Sequence, residues 1–367
     1  MKNGLLVCSH TGTRKNIGDY IQSVAQEQYL DHVDLFIDRE NLKYYSFDES
    51  VNLIMNGWFM WKPQSFPPSE CFNPLFISFH IVPKVAEELL SEETIEYLKR
   101  HEPIGTRDTG TKDILDSKGV DCYFSGCLTT TLNLKFSRPL ERKGGVVFVD
   151  PYYSIAGTRA SLFDLKGYFK DLYCFFKNYR KVNCFIDAFQ HEYWTWYGRI
   201  SRRIEKRVCA SVFYESYSRL CSDEVLFSAQ YITHNIPSSR YNSEEEWLQA
   251  AKDLICLYTQ ADYVITSRIH CALPCLGIET PVIFILSDSL QTGKLRSRGR
   301  FGGLLSMLNV LLFGKKITPL SESMSSLLLS GKLTLNSHFS NPNDYKSYRD
   351  DMIERVQSFI KTACKNE

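Results

Sequence analysis

Tyr263-Val-Ile-Thr-Ser-Arg-Ile-His-Cys-Ala272 reads as a buried apolar strand over 263–266 that runs straight into a short helix over 270–276. Arg268 and His270 stand at the junction, where a strand ends and helix amide groups begin. Such a junction can grip an anion. The first-turn N–H groups point outward, Arg268 offers two parallel donors, and His270 can move a proton near neutral pH. The competing reading of the same residues is structural: Ser267 is an N-cap, Arg268 pairs with a carboxylate, and His270 is satisfied in the core.

The flanking sequence repeats this strand-to-helix pattern. Strands are expected over 4–8, 33–37, 51–55, 75–79, 103–105 and 122–124, with helices over 17–30, 83–90, 91–101 and 109–118. A second set follows, with strands over 146–150, 182–186, 225–228, 263–266 and 281–286 and helical segments within 161–180, 191–220, 243–260 and 270–276. Between the sets, 138–145 has the charges, proline and paired glycines of a linker, and 344–364 reads as a charged amphipathic helix. The pattern predicts an α/β chain of two Rossmann-like domains, 1–140 and 141–335, facing across a cleft. A tail and helix over 336–367 is expected to cross back and brace the first domain. Ligands of such sheets sit outside the carboxyl ends of the strands.

The length of 367 residues fits about two domains. Forty-three Lys and Arg against 42 Asp and Glu leave a net charge of +1, so no global field draws the chain onto nucleic acid. A composition of 44% hydrophobic and 23% charged residues excludes a disordered chain, and 13% aromatics raises stacking on sugars or bases. The twelve cysteines are scattered without a CxxC pair, which predicts free thiols, a reducing compartment and no metal site. The apolar runs at 4–8 and 304–313 are too short for a signal-peptide core and a membrane span respectively, so a soluble, cytoplasmic protein is expected.

Two more junctions carry anion-binding chemistry. In Gly105-Thr-Arg-Asp-Thr-Gly-Thr111, Asp108 is an N-cap and Arg107 points off a strand end. In Thr13-Arg-Lys-Asn-Ile-Gly-Asp19, a basic loop feeds a helix start, and Asn16 with Asp19 has capping-box spacing. The stretch 191–207 sets Trp194, Trp196 and Tyr197 beside five basic residues, either as a docking surface or as an aromatic core face with a solvated basic one. Residues 291–303 carry Lys294, Arg296, Arg298 and Arg300 among glycines, as a loop able to cover a cleft or as plain surface. A Walker A loop, GxSxG, HExxH and an early GxGxxG are all absent.

Asn16-Ile-Gly-Asp19, Gly105-Thr-Arg-Asp108, Phe124-Ser-Gly-Cys127, and Thr266-Ser-Arg-Ile-His270 leading to Gly277 and Pro281-Val-Ile together resemble the polysaccharide pyruvyl transferase family. The resemblance implies a GT-B-like architecture. It also implies transfer of a pyruvyl group from phosphoenolpyruvate onto a saccharide as a ketal, in cell-surface or exopolysaccharide synthesis, with no cofactor beyond the donor substrate. On it, His270 is the proton donor, and Arg268 and Arg107 hold the donor's phosphate and carboxylate. Asn16, Gly18 and Asp19 line the cleft, Asp19 or Asp108 orients a hydroxyl, and Ser267, Lys294 and Arg300 are further substrate contacts. The first domain is expected to take the acceptor and the second the phosphoenolpyruvate. A lipid-linked acceptor would bring 191–207 to the inner membrane face. Where family members carry a glycine run, this chain has Asn56-Gly-Trp58 with Trp61 following, and the bulk of Trp58, Phe59 and Trp61 points to a different acceptor pocket. Two alternatives stay open. One is a GT-B nucleotide-sugar glycosyltransferase, for which Glu279 is the nearby carboxylate; the other is a non-catalytic scaffold of the same fold.

Overall fold

The computed structural model describes residues 1–8, 12–59, 61–156, 164–288 and 301–365. The first half runs β1 (Lys2–Val7), β2 (Arg14–Asn16), α1 (Ile17–Glu27), β3 (Leu35–Asp38), β4 (Val51–Phe59), β5 (Phe72–Ile81), α2 (Ala86–Leu89), α3 (Glu92–Lys99), β6 (Ile104–Thr106), α4 (Thr109–Asp116) and β7 (Cys122–Phe124). A 3₁₀ segment, Leu128–Leu134, then leads into β8 (Val146–Val149), α5 (Leu165–Val182), α6 (Tyr197–Ile200), α7 (Arg202–Tyr217), α8 (Asp223–Ser228), β9 (Gln230–Ile232) and β10 (Asn235–Pro237). The chain continues through α9 (Glu244–Gln260), β11 (Tyr263–Thr266), α10 (Ile269–Gly277), β12 (Val282–Ser287), β13 (Asn309–Phe313), β14 (Ile317–Pro319), α11 (Glu322–Leu329) and α12 (Tyr345–Lys365).

The result is a mixed α/β molecule with two six-stranded sheets in the spatial orders β3-β1-β4-β5-β6-β7 and β14-β13-β12-β11-β8-β9. Every neighbouring pair is parallel except β13 with β14. Numbered within its own sheet, each reads 2-1-3-4-5-6, so the connections change direction between the first and third strands. That crevice is flanked by the ends of β1 and β4 in one sheet and of β8 and β11 in the other. The short ribbon of β2 with β10 ties the two halves together, pairing Lys15 with Ile236.

Buried strands with helices on both faces account for the cores. One cluster is shared by the halves: Tyr20, Ile21 and Val24 of α1 pack with Trp247, Leu248 and Ala251 of α9 and with Cys271 and Leu273 of α10. The Tyr20 and Trp247 rings stack at 5.2 Å. Behind the second sheet lies an aromatic cluster around Phe148, Phe185, Phe213, Tyr217 and Tyr231, which absorbs much of the aromatic content. The helix α12 lies against the first sheet, with Tyr348 edge-on to Phe124 at 5.0 Å and Arg355 4.4 Å over the Tyr123 ring.

Two expected strands are not strands. The run 182–186 continues α5 as turns, in which the N–H groups of Cys184 and Phe185 donate to the carbonyls of Lys181 and Val182. Its apolar residues serve the aromatic core instead: Val182 and Phe185 are buried, and Phe185 meets Phe189 and Tyr231. The run 225–228 belongs to α8, because Ser222 caps that helix by accepting from the Val225 N–H, and the strand follows at β9. Within 191–220 only α6 and α7 are helical.

Candidate active site

The first turn of α1 meets the first turn of α10. Asn16 caps α1 by accepting from the Gly18 N–H at 3.1 Å. Gly18 is there because nothing larger fits: a Cβ would stand 2.7 Å from the His270 Cβ and 3.1 Å from His234 Nδ1. Asp19 does not turn back to complete a capping box. Its Oδ1 faces the Arg39 guanidinium at 3.4 Å and His270 Nδ1 at 3.8 Å. On the other side of the ring, His270 Nε2 lies 3.0 Å from the Gln22 side-chain nitrogen, and the whole residue is 7% exposed. Gln22 Oε1 is buried without a partner, so rotating that amide lets it serve either a protonated or a neutral Nε2. Room for Gln22 and Arg39 comes from a bulge in β4 at Gly57, whose φ is +131°. Burial works against the Arg39 charge, yet Asp19, Cys8 and Glu40 outweigh it and hold the guanidinium above its ordinary pKa.

Arg268 lies across a cavity of about 430 Å³ that is lined from both halves by Arg14, Asp19, Trp58, Trp61, Glu192 and Arg268. Its Nε donates to Asp150 Oδ2 at 3.0 Å, and its terminal nitrogen pairs with Glu192. Asp150 sits just past β8 with φ +40°, a strained conformation for a residue with a side chain, and also accepts from the His234 N–H. Burial opposes the Arg268 charge, but the two carboxylates hold its pKa up, while burial raises Glu192 despite Arg268. The ion pair expected by the structural reading of Arg268 is therefore present, on a residue that also faces the cavity.

Ser267 is turned elsewhere. It neither caps α10 nor faces the cavity: its hydroxyl donates to the Ile285 carbonyl and accepts from the Tyr152 N–H. Arg107 and Asp108 form a third group one aromatic layer away. Asp108 caps α4 through the Thr111 N–H and contacts His80 Nδ1 at 2.5 Å, and the His80 ring lies 6.2 Å from Trp58 at the cavity. Burial pushes the Asp108 carboxyl up, but His80 and Arg107 outweigh it and hold it below its ordinary value. Arg107 is 3% exposed, and its Nε is buried with no hydrogen-bond partner. Phe59 is in the core rather than the pocket, which leaves Trp58 and a half-exposed Trp61, with Tyr20, as the cavity aromatics. Lys294 and Arg300 lie outside the described residues. Glu279 follows the far end of α10 and pairs with Lys346, so it is not a carboxylate of this cavity.

Arg39, Gln22, Asp150, Glu192 and His80 belong to the site, and the motifs did not single them out. A signal existed for two of them. Gln22 shares a face of a buried helix with Asp19, and Asp38-Arg39-Glu40 is a charged run directly after a strand. A second cavity of about 640 Å³ opens beside Tyr152, Lys170, Arg219 and Ser287. Among the described residues no three His, Cys, Asp or Glu are grouped to hold a metal, and no helix is long and apolar enough to cross a membrane.

A family model described as polysaccharide pyruvyl transferase matches residues 16–289. No curated protein and no solved structure matches.

Proposed function

Because the chain belongs to the polysaccharide pyruvyl transferase family, we propose that it moves a pyruvyl group from phosphoenolpyruvate onto two hydroxyls of a saccharide, in the synthesis of a cell-surface polysaccharide. In this reading the sheets are two Rossmann-like domains, 1–140 and 141–335, in a GT-B-like arrangement, with the reaction in the crevice between them. The observation that carries it is the meeting of Asp19 and Gln22 from α1 with His270 from α10, where Asp19 also lines the cavity of Arg268.

Ketal formation begins by adding a proton to the methylene carbon of the enol phosphate. His270 is the donor in this reading, with Asp19 beside Nδ1 favouring the charged ring and Gln22 following Nε2 as its proton leaves. The central carbon then becomes cation-like, one hydroxyl adds, phosphate departs, and the second hydroxyl closes the ketal. Of the two hydroxyl protons, one restores His270 and the other leaves with the phosphate. Arg268 takes the donor's anionic groups by exchanging Glu192, a carboxylate that burial already disfavours as an anion. Arg107, whose Nε lies 3.6 Å from Asp108 Oδ2 and makes no hydrogen bond, supports a second anion contact. Trp58 and Trp61 offer the acceptor ring a stacking surface.

Thermal unfolding with added ligand tests the donor. Phosphoenolpyruvate at a hundredfold excess over its Kd stabilises by about 2.7 kcal/mol and raises Tm, with the shift lost in Arg268→Ala. A shift with UDP-sugars and none with phosphoenolpyruvate would move the assignment to glycosyl transfer.

A further inference from the structure

We propose that the outward face of α5 docks on an anionic lipid bilayer. The helix has two unlike sides. Asp171, Cys174, Asn178 and Val182 turn inward and are buried. Opposite them, Leu165, Phe169, Leu172, Phe176 and Tyr179 follow the i, i+4, i+7, i+11, i+14 spacing of a single stripe. Phe169 and Phe176 are 70% and 69% exposed. Of the sixteen large hydrophobic residues exposed among the described residues, nine fall within 165–204, which is a patch and not scatter.

Charge decides what covers it. Residues 165–207 hold ten Lys and Arg against four Asp and Glu, while the rest of the chain is net negative. Two of the four carboxylates, Asp171 and Glu205, are buried. Cations flank the stripe: Arg207 lies 4.8 Å over the Tyr179 ring, while Lys177 and Lys181 of the same helix pair with Glu215 and Asp223. A second copy pairing through the same face would set these cations against each other. Acidic headgroups meet them, and the apolar stripe enters the acyl boundary. The tryptophan-rich stretch expected to make this contact is partly engaged inside the protein, since Arg202 pairs with buried Glu205 and Arg199 lies 3.5 Å over Trp196. The face adjoins the second cavity. Lys170 reaches the Ser154 carbonyl and lines the larger cavity with Tyr152, whose N–H donates to Ser267 next to Arg268. The inference holds whichever reaction the site performs.

Co-sedimentation of the full chain with vesicles tests it. The protein should pellet with phosphatidylcholine and phosphatidylglycerol mixed two to one and stay in the supernatant with phosphatidylcholine alone. Phe169→Ser/Phe176→Ser should lower the bound fraction about tenfold with an unchanged circular dichroism spectrum. Should that variant not fold, Lys166→Glu/Arg180→Glu reports the same loss. Wild type that stays off anionic vesicles, or variants that bind as wild type does, would overturn the proposal. So would sedimentation velocity showing a dimer that the phenylalanine variant splits into monomers.

Discussion

At Gly18 a single hydrogen atom stands where any other residue would press a methyl group to within 2.7 Å of the His270 Cβ. Gly18→Ala should therefore push α1 and α10 apart, destabilising the fold by about 1–3 kcal/mol and lowering kcat/KM roughly a hundredfold. Kinetics and urea titration on the same preparation check both; wild-type kinetics would mean that the contact does not position His270. His234, stacked behind this contact, is fully buried with Nε2 2.7 Å from the Tyr258 hydroxyl, and burial lowers its pKa to about 4. The unfolded chain takes a proton there near pH 6.5 while the folded one refuses it until about 4, so stability is lost as pH falls through that window. Asp171 runs the other way. Burial raises it to about 6, so its contribution is full below the ordinary carboxylate pKa and is lost as pH rises to about 6. Comparing wild type with His234→Gln isolates the histidine: the variant should lose about 2 kcal/mol less than wild type between pH 8 and pH 5. Parallel pH profiles from urea midpoints would contradict this. Arg268, His270 and Asp19 were legible as residues because charge at a strand-to-helix junction has few uses, and Asn16 because of its capping position. Glu192 was not, since it lies in irregular chain and gains meaning only from the Arg268 it pairs with.

Helix α10 shows how an element is held in one position. Pro274 lacks the N–H that would bond the carbonyl of His270 four residues back, so the helix is kept by packing as much as by its own ladder. Its last residue, Gly277, rests on the backbone of the 3₁₀ segment Leu128–Leu134, where a Cβ would come within 2.7 Å of the Thr129 and Thr130 carbonyl oxygens. Gly277→Ala should cost about 1–3 kcal/mol, read as a lower urea midpoint at unchanged m-value. An unchanged midpoint would show that the seat is soft. A strand with a capped helix after it was readable, as β6 with the Asp108 cap of α4 illustrates. The run 182–186 was misread because its buried aromatic and β-branched residues answer to a cluster made by α7 and β9, not to a ladder. The β2 and β10 ribbon escaped notice for a related reason: its pairing joins Lys15 to Ile236, and no local pattern records a contact over that separation.

Over the whole molecule, the net charge of +1 hides a sorting of charge into places. Two cations at the crevice are held by carboxylates, Arg39 by Asp19 and Glu40 and Arg268 by Asp150 and Glu192. The alternation of buried runs and amphipathic helices anticipated two largely parallel sheets, while their shared strand order emerges only in the structure. Which residues of one half face which of the other is decided by packing across α1, α9 and α10, and sequence spacing does not encode it. Pyruvyl transfer in this crevice is tested by phosphate release from phosphoenolpyruvate over a panel of oligosaccharide acceptors. Acceptor-dependent release is expected, falling at least a hundredfold in both His270→Ala and Arg268→Ala. Release that persists in both variants, or none with any acceptor while UDP-sugars bind, would contradict it.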